Sequence, residues 1–402
     1  MTGPQISWLP DGRRLHMNHG PIDLIVEAWG HPAEVAAAYR QAAARFPTIL
    51  PELVEELPAL RRPASPIPPP LTPPHKGEVG VHRHALPSPD VDVPAVPSAG
   101  DEATESPSPL WGGVRGGGAG QARSEETFAG STARRMAAAT SRLAHHAFIT
   151  PMAAVAGAVA DEMLAAMLEG RTLAKAYVND GGDIALHVGE GETLRLAIAG
   201  TGHGFDDRFA VTHDSPVRGV ATSGWRGRSF SLGIADAVTV LARDAPSADA
   251  AATLIANAVD LPGHPAITRA PASRLQPDSD LGERLVTTGV GSLSADDVAV
   301  ALSGGLDIAR DFLAKGLIEG AALFLAGSMR IVGRSLLPGS RGLLAPLPLN
   351  PPRKGEGISD LLRSDTAARK AGPSTPPSPL RGGVRGGVVS AAVTTTRKTA
   401  HA

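Results

Sequence analysis

Apolar and polar positions along the first sixty residues fall into two patterns. The stretch "LHMNHGPIDLIVEAWG" (Leu15–Gly30) has a β-rich centre and predicts a strand over Ile22–Ala28, closed by Gly30. The alanine-rich run that follows predicts a helix from Pro32 to Phe46, which Pro47 should end because proline lacks the donor a helix interior needs. A short helix over Pro51–Glu56 follows. Periodicity then stops and returns near Thr132 with a helical pattern in "STARRMAAATSRLA". The next helix is framed by Thr150 as N-cap, Pro151 at its first position and Gly170 just past its end. Its many small residues, Ala153 to Ala160, allow close approach of either a packed neighbour or a ligand.

From there the pattern turns to β. "KAYVNDGGDIALHV" predicts two strands around a turn at Asp180–Gly182, and "LRLAIAG" a third. "VRGVATSGWRGRSFSLG" and "DAVTVLAR" supply two or three more, and "PSADAAATLIANAVDL" reads as a helix with Ser247 as N-cap. Beyond Leu281, strands mix with one or two helices. Strands followed by strands and then helices predict an α+β fold, with mostly antiparallel sheet and packed helices, instead of an alternating parallel one.

Two segments, 62–125 and 345–402, lack an apolar period and are rich in Pro, Gly, Ser and charge, so both are expected to be disordered. They divide the chain into a first core part (1–61), an insert, the remainder of the core (126–344) and a tail. The core amounts to roughly 280 residues, enough for one large domain or two small ones. Both segments carry the same pair of phrases. "PPPLTPPHKGEV" (Pro68–Val79) is followed by "SPSPLWGGVRGG" (Ser106–Gly117), and "PLPLNPPRKGEG" (Pro346–Gly357) by "TPPSPLRGGVRGG" (Thr375–Gly387). With a suitable choice of codons, the reverse complement of the second phrase, read in a shifted frame, translates as Pro-Leu-Thr-Pro-Pro-Arg-Lys-Gly-Glu. Each pair therefore reads as two arms of an inverted DNA repeat, copied twice into the gene. The alternative is a proline-rich ligand for partner domains.

Bulk chemistry narrows the function. A formal charge of −2 and 3% aromatic residues argue against nucleic-acid binding. The absence of cysteine removes disulfides, thiol catalysis and Cys-zinc sites. The N-terminus lacks a basic start with an apolar run, and the longest apolar stretch is broken by Asp161 and Glu162. A cytoplasmic protein with no membrane segment is the expectation. The histidines show no zinc spacing.

Three constellations carry candidate chemistry. In "VNDGGDIAL", Gly181 and Gly182 between β-type runs mark a turn that a ligand can approach, with Asn179 before it and Asp183 after it; the plain alternative is a hairpin. In "VATSGWRGRS", the segment Ala221, Thr222, Ser223 and Gly224 with Arg226 and Arg228 offers hydroxyls, free backbone and guanidinium forks, a set suited to a phosphate or diphosphate or else a plain polar loop. On the helix after Ser247, Asp249, Thr253 and Asn257 stand four apart among Ala, Leu and Ile, so all three share one face. A carboxylate and a hydroxyl in that arrangement suit Mg²⁺; alternatively Asp249 simply favours the helix dipole from the first turn. The loop "GTGHGF" (Gly200–Phe205) is a weaker glycine signal.

Taken in order, "NDGGDI", "VATSG", "AVTVLA" and "ADAAAT" resemble the flavin transferase (ApbE) superfamily. Phrases such as "GPIDLIVEAWG", "ITPMAAVAGAVADE" and "DLPGHPAI" are similar to its shorter branch, often labelled thiamine-biosynthesis-related. The resemblance covers most of the core and neither repeat-bearing segment. It implies an ApbE-like fold and FAD as substrate or ligand with Mg²⁺. In the superfamily's transferases FMN passes from FAD to a threonine hydroxyl of an acceptor protein. It also implies that Asp249 and Thr253 ligate the metal, and that Gly181, Gly182, Asp183 and Ala221–Gly224 line the nucleotide site. A homo-oligomer is compatible with it. Two departures stand out: the lysine that the transferases carry near Ala156–Gly157 is absent, and so is their histidine-rich stretch after "TSG". The same site without transfer chemistry, holding a flavin or another nucleotide, is the second expectation.

Overall fold

The structure, a computed structural model, describes residues 3–66, 128–197 and 208–333, with the backbone of 392–394. Its strands are β1 (Gln5–Trp8), β2 (Leu15–His19), β3 (Ile22–Gly30), β4 (Leu173–Asp180), β5 (Asp183–Val188), β6 (Thr193–Ala197), β7 (Arg208–Thr212), β8 (Gly219–Ser223), β9 (Ala237–Ala242), β10 (Ile267–Pro271), β11 (Leu285–Val290), β12 (Gly320–Leu325), β13 (Ser328–Gly333) and β14 (Ala392–Thr394). The helices are α1 (Pro32–Leu60), α2 (Ser131–Ser141), α3 (Val155–Leu168), α4 (Ala245–Ala258), the single turn α5 (Ala272–Leu275) and α6 (Ala295–Ala314). Both repeat-bearing phrases and the "GTGHGF" loop lie outside the described residues.

Nine strands form one sheet in the order β1-β2-β3-β4-β5-β8-β9-β12-β13, every pairing antiparallel. This is the α+β architecture expected from the pattern. The two-residue period of the strands sends their side chains to two different cores. Val178, Ala185, Ala221, Val238 and Val240 join the helices in the main core around Phe46, Met163, Met167 and Phe312. Their neighbours Tyr177, Ile184, Leu186 and Val220 face the other way, onto Leu194, Leu196, Phe209 and Val211 of the β6–β7 hairpin. The central strands are covered on both faces, so "AVTVLA" reads as a continuous apolar run.

Helix α1 departs from expectation. It runs unbroken from Pro32 to Leu60 through Pro47, Pro51 and Pro58. Tertiary contacts override the proline penalty: Phe46, Ile49, Leu53 and Leu60 are buried on one face. The Arg45 guanidinium donates twice to Glu52, 2.7 Å to each oxygen, bridging Pro47 and Pro51. Glu56 accepts the backbone N–H groups of Ala129 and Gly130 at the entry to α2. Strand β3 also extends two residues beyond Ala28.

Helix α3 follows a 3-10 turn over Pro151–Ala154, and Gly170, at φ +62°, lies just past its end as expected. The Thr150 side chain donates to Asp280 and does not cap the helix. By length and composition the apolar segment Pro151–Leu168 could cross a membrane. Here it is a core helix, with Ala158, Val159, Ala160 and Met163 buried. Its small residues serve packing: a Cβ on Gly157 would stand 2.4 Å from the carbonyl oxygen of Ala245, so only glycine lets α3 meet the start of α4 this closely. Helix α4 begins two residues before Ser247. Asp244 is its N-cap and accepts the Ser247 N–H at 2.8 Å.

Candidate functional site

The β4–β5 hairpin turn is built for close approach. Gly181 and Gly182 sit at φ +63° and +122°, conformations that favour glycine. Asn179 closes the turn by accepting the Gly182 N–H at 2.8 Å. Its role there is structural, as in other Asx turns. Asp180 and Asp183 flank the two glycines and face each other in register.

Two more segments, far apart in sequence, arrive at the same end of the sheet. Strand β8 pairs beside β5, and the Thr222 N–H donates to Asp183 Oδ1 at 3.1 Å. From α4, Asp249 Oδ2 accepts the Gly157 N–H at 3.0 Å. Asp249 is the fifth residue of its helix, beyond the first turn, so the expected local dipole role does not hold. Its carboxylate instead meets the first turn of α3, where unpaired amides and the helix dipole favour an anion.

Burial dominates the electrostatics. It pushes the Asp180 carboxyl up to about 8, with the nearby Asp183 charge adding and Arg228 opposing. Burial and then the Asp249 charge raise Asp183 well above the usual carboxylate range, against the Thr222 amide and Arg228. Burial raises Asp249 to about 7; the Gly157 and Ala156 amides oppose this and Asp180 adds to it. Asp180 is only 3% exposed, and Asp183 and Asp249 are partly buried. Arg228 Nη2 lies 3.8 Å from Asp180 Oδ1, and its guanidinium occupies the space a Cβ on Gly181 would take.

The structure sorts the expected residues. Gly181, Gly182, Asp183, Thr222 and Asp249 converge. Thr253 stands one helical turn beyond Asp249, and neither its hydroxyl nor that of Ser223 makes a hydrogen bond among the described residues. Thr222 shares a 2.9 Å hydroxyl contact with Thr239. Ala221 is in the main core. Gly224 packs against the carbonyls of Ala235 and Asp236, and Arg226 is drawn to Asp236 at 2.7 Å while lying over the Trp225 ring. Arg228, not Arg226, is therefore the arginine on the acidic turn. Asn257 leaves the stripe as well, accepting the Leu232 N–H at 2.9 Å to pin a loop. Asp180 belongs with the converging residues though the implied site residues leave it out; its place directly before the glycine pair is the sequence signal for it.

Among the described residues no three His, Asp or Glu side chains converge closely enough to hold a metal by themselves. A divalent cation still fits the donor set. Closely spaced carboxyls raised by burial and mutual repulsion gain from a positive charge, and Mg²⁺ typically takes one or two protein carboxylates and completes its shell with water or phosphate. Asp249 and Thr253 would supply the protein's share.

A family model described as "AbpE bacteria" matches residues 6–81 and 119–331. A UPF0280 protein of Methanoregula boonei is 36% identical over 152 residues, 36% of this chain and 62% of the relative. One from Methanothermobacter thermautotrophicus is 38% identical over 123 residues, 30% and 47% of the two chains. One from Methanothrix thermoacetophila is 41% identical over 113 residues, 28% and 46%. The chain spans about half the length of the curated relatives it matches. With more than half of its residues matched by the family model, the chain belongs to the bacterial AbpE family.

Proposed function

We propose that the site at the β4–β5 turn binds a flavin nucleotide, FAD, together with Mg²⁺, and acts on the FAD diphosphate. The observation that carries this reading is the convergence of three segments. The Gly181–Asp183 turn, the Thr222 strand and Asp249 of α4 lie far apart in the chain and meet at one end of the sheet. They are the segments in which the sequence resembles the flavin transferases. Glycines without side chains admit a ligand close to the backbone, and Arg228 supplies a fork for an anionic group.

Bound by Asp249 and Thr253, Mg²⁺ would offset charge on the diphosphate. The chain's own carboxyls cover a need the sequence left open. Asp183, raised by burial and the Asp249 charge, is the carboxyl that would take a proton from an incoming hydroxyl while Asp249 holds the cation. The acceptor in this reading is a hydroxyl of a partner protein.

A second reading, binding without transfer, draws on a different observation. No lysine or histidine is paired with Asp180, Asp183 or Asp249 among the described residues; the ion pair at the turn is that of Arg228 with Asp180. FAD titration with and without Mg²⁺, followed by an assay for AMP release, tests both readings. Mg²⁺-dependent binding with AMP release supports transfer chemistry, and binding without release supports a holding role. No saturable FAD binding removes both.

A further inference from the structure

A large cleft of about 1550 Å³ opens at the other end of strand β4, between the β1–β2 hairpin, β3, the first half of α1 and the start of β6. It takes in Lys175, five residues and about 17 Å along the strand from Asp180. Its walls are aromatic, with Trp8, Trp29 and Tyr39; Trp8 is 54% exposed although its ring meets Tyr39 edge-on at 5.0 Å. At its base lies Glu27, whose side chain is 7% exposed. Glu27 Oε2 accepts the Tyr177 hydroxyl at 3.3 Å, but the buried Oε1 has no hydrogen-bond partner; the nearest cation, Arg13 Nε, is 3.8 Å away. A buried acceptor left without a donor is costly, so it calls for a donor from outside the chain.

The rim sets the sign of that ligand. Lys175 is neutralised by Glu192 at 2.9 Å and Arg13 faces Glu27. Arg40 and Arg195 are exposed and have no carboxylate partner among the described residues, which leaves the mouth positive. An organic cation would suit the aromatic walls and Glu27 but not this rim. A flat ligand with one N–H and one anionic group suits all three.

We propose that this cleft is a second binding site, distinct from the β4–β5 turn, for a planar heterocycle with a ring N–H and an anionic substituent. The N–H donates to Glu27 Oε1, the ring lies against the Trp8, Trp29 and Tyr39 walls, and the anionic group meets Arg40 and Arg195. Stacking on aromatic faces and a charge-assisted hydrogen bond give the site its selectivity.

The probe is GMP, which has a ring N–H and a phosphate, with AMP, which lacks the ring N–H, as comparator. Binding is followed by tryptophan fluorescence and calorimetry on the full chain. Saturable GMP quenching at least tenfold tighter than AMP is expected. Glu27→Leu should lose it, and Arg195→Ala, a change at an exposed position, should weaken GMP at least fivefold while leaving guanosine unchanged. Asp249→Asn should leave GMP binding intact. No saturable GMP binding up to several millimolar overturns the proposal. So does binding that Asp249→Asn abolishes while Glu27→Leu and Arg195→Ala leave it unchanged, because the ligand then occupies the first site.

Discussion

Replacing Asp180 with asparagine removes a titratable group from a buried position and changes little else. The carboxyl is 3% exposed and raised from the usual 3.8 to about 8, chiefly by burial. Between those two values the folded protein holds a proton at Asp180 that the unfolded chain has released. Stability therefore falls as pH rises through this window, by about 1.4 kcal/mol per pH unit. From pH 5 to pH 7.5 that amounts to about 3 kcal/mol as a ceiling, because Asp183 and Arg228 share the same electrostatics. Asparagine keeps the shape and an acceptor for the Asp23 N–H at 3.5 Å. It gives up only the 3.8 Å pairing with Arg228, which is half exposed and contributes little. Urea unfolding of both proteins at pH 5, 6, 7 and 8 measures the difference. The variant's stability should fall less than the wild type's across this range, by up to about 3 kcal/mol, and should exceed it at pH 8. Parallel curves, or a variant that falls more steeply, would refute the reasoning: Asp180 would then be ionised throughout, with Arg228 outweighing burial.

Three further outcomes follow from the packing around the site. Glu162 ties three helices together, accepting from Arg45 on α1 and Arg135 on α2 at 3.0 Å each and from the Ser131 hydroxyl at 2.5 Å. Burial works against its charge, but these donors prevail and hold its carboxyl below the usual range. Glu162→Ala should cost about 2–3 kcal/mol in urea unfolding at pH 7, a cost that shrinks as pH falls below 4. Gly181→Ala places a Cβ where Arg228 sits, on a backbone at φ +63°. It should lower stability by about 1–2 kcal/mol and weaken binding of an anionic ligand at the turn. Gly157→Ala drives a methyl into the Ala245 carbonyl and should cost about 1–3 kcal/mol, with a matching fall in Tm.

How far the sequence told the fold depended on whether a signal was local. The hairpin turn at Asp180–Gly182, the Gly170 helix end and the strands around "AVTVLA" were legible because glycine conformation and apolar runs act within a few residues. The unbroken α1 was not. Proline is a local breaker, and what overrides it is a buried face together with the Arg45–Glu52 pair inside the helix and Glu56, whose partners come from the distant entry to α2. At the site, spacing puts Asp249 and Thr253 one turn apart on α4. It could not show that Asp249 would accept amides from a different helix, or that Asn257 would turn to a loop. Arg226 and Arg228 are equivalent on paper. Only the position of Asp236 beside Arg226 separates the structural arginine from the one on the acidic turn. The Glu27 cleft gave no signal, because its walls come from strands and a helix that meet only in the folded chain.

The most direct test of the central claim is FAD binding to the purified chain, followed by flavin fluorescence with and without Mg²⁺, in the wild type and in Asp249→Asn. The account predicts saturable quenching that requires Mg²⁺ and weakens at least tenfold in the variant, whose amide still accepts from Gly157 but carries no charge for the cation. Quenching that ignores both Mg²⁺ and the substitution, or no saturable binding at high micromolar FAD, would contradict it.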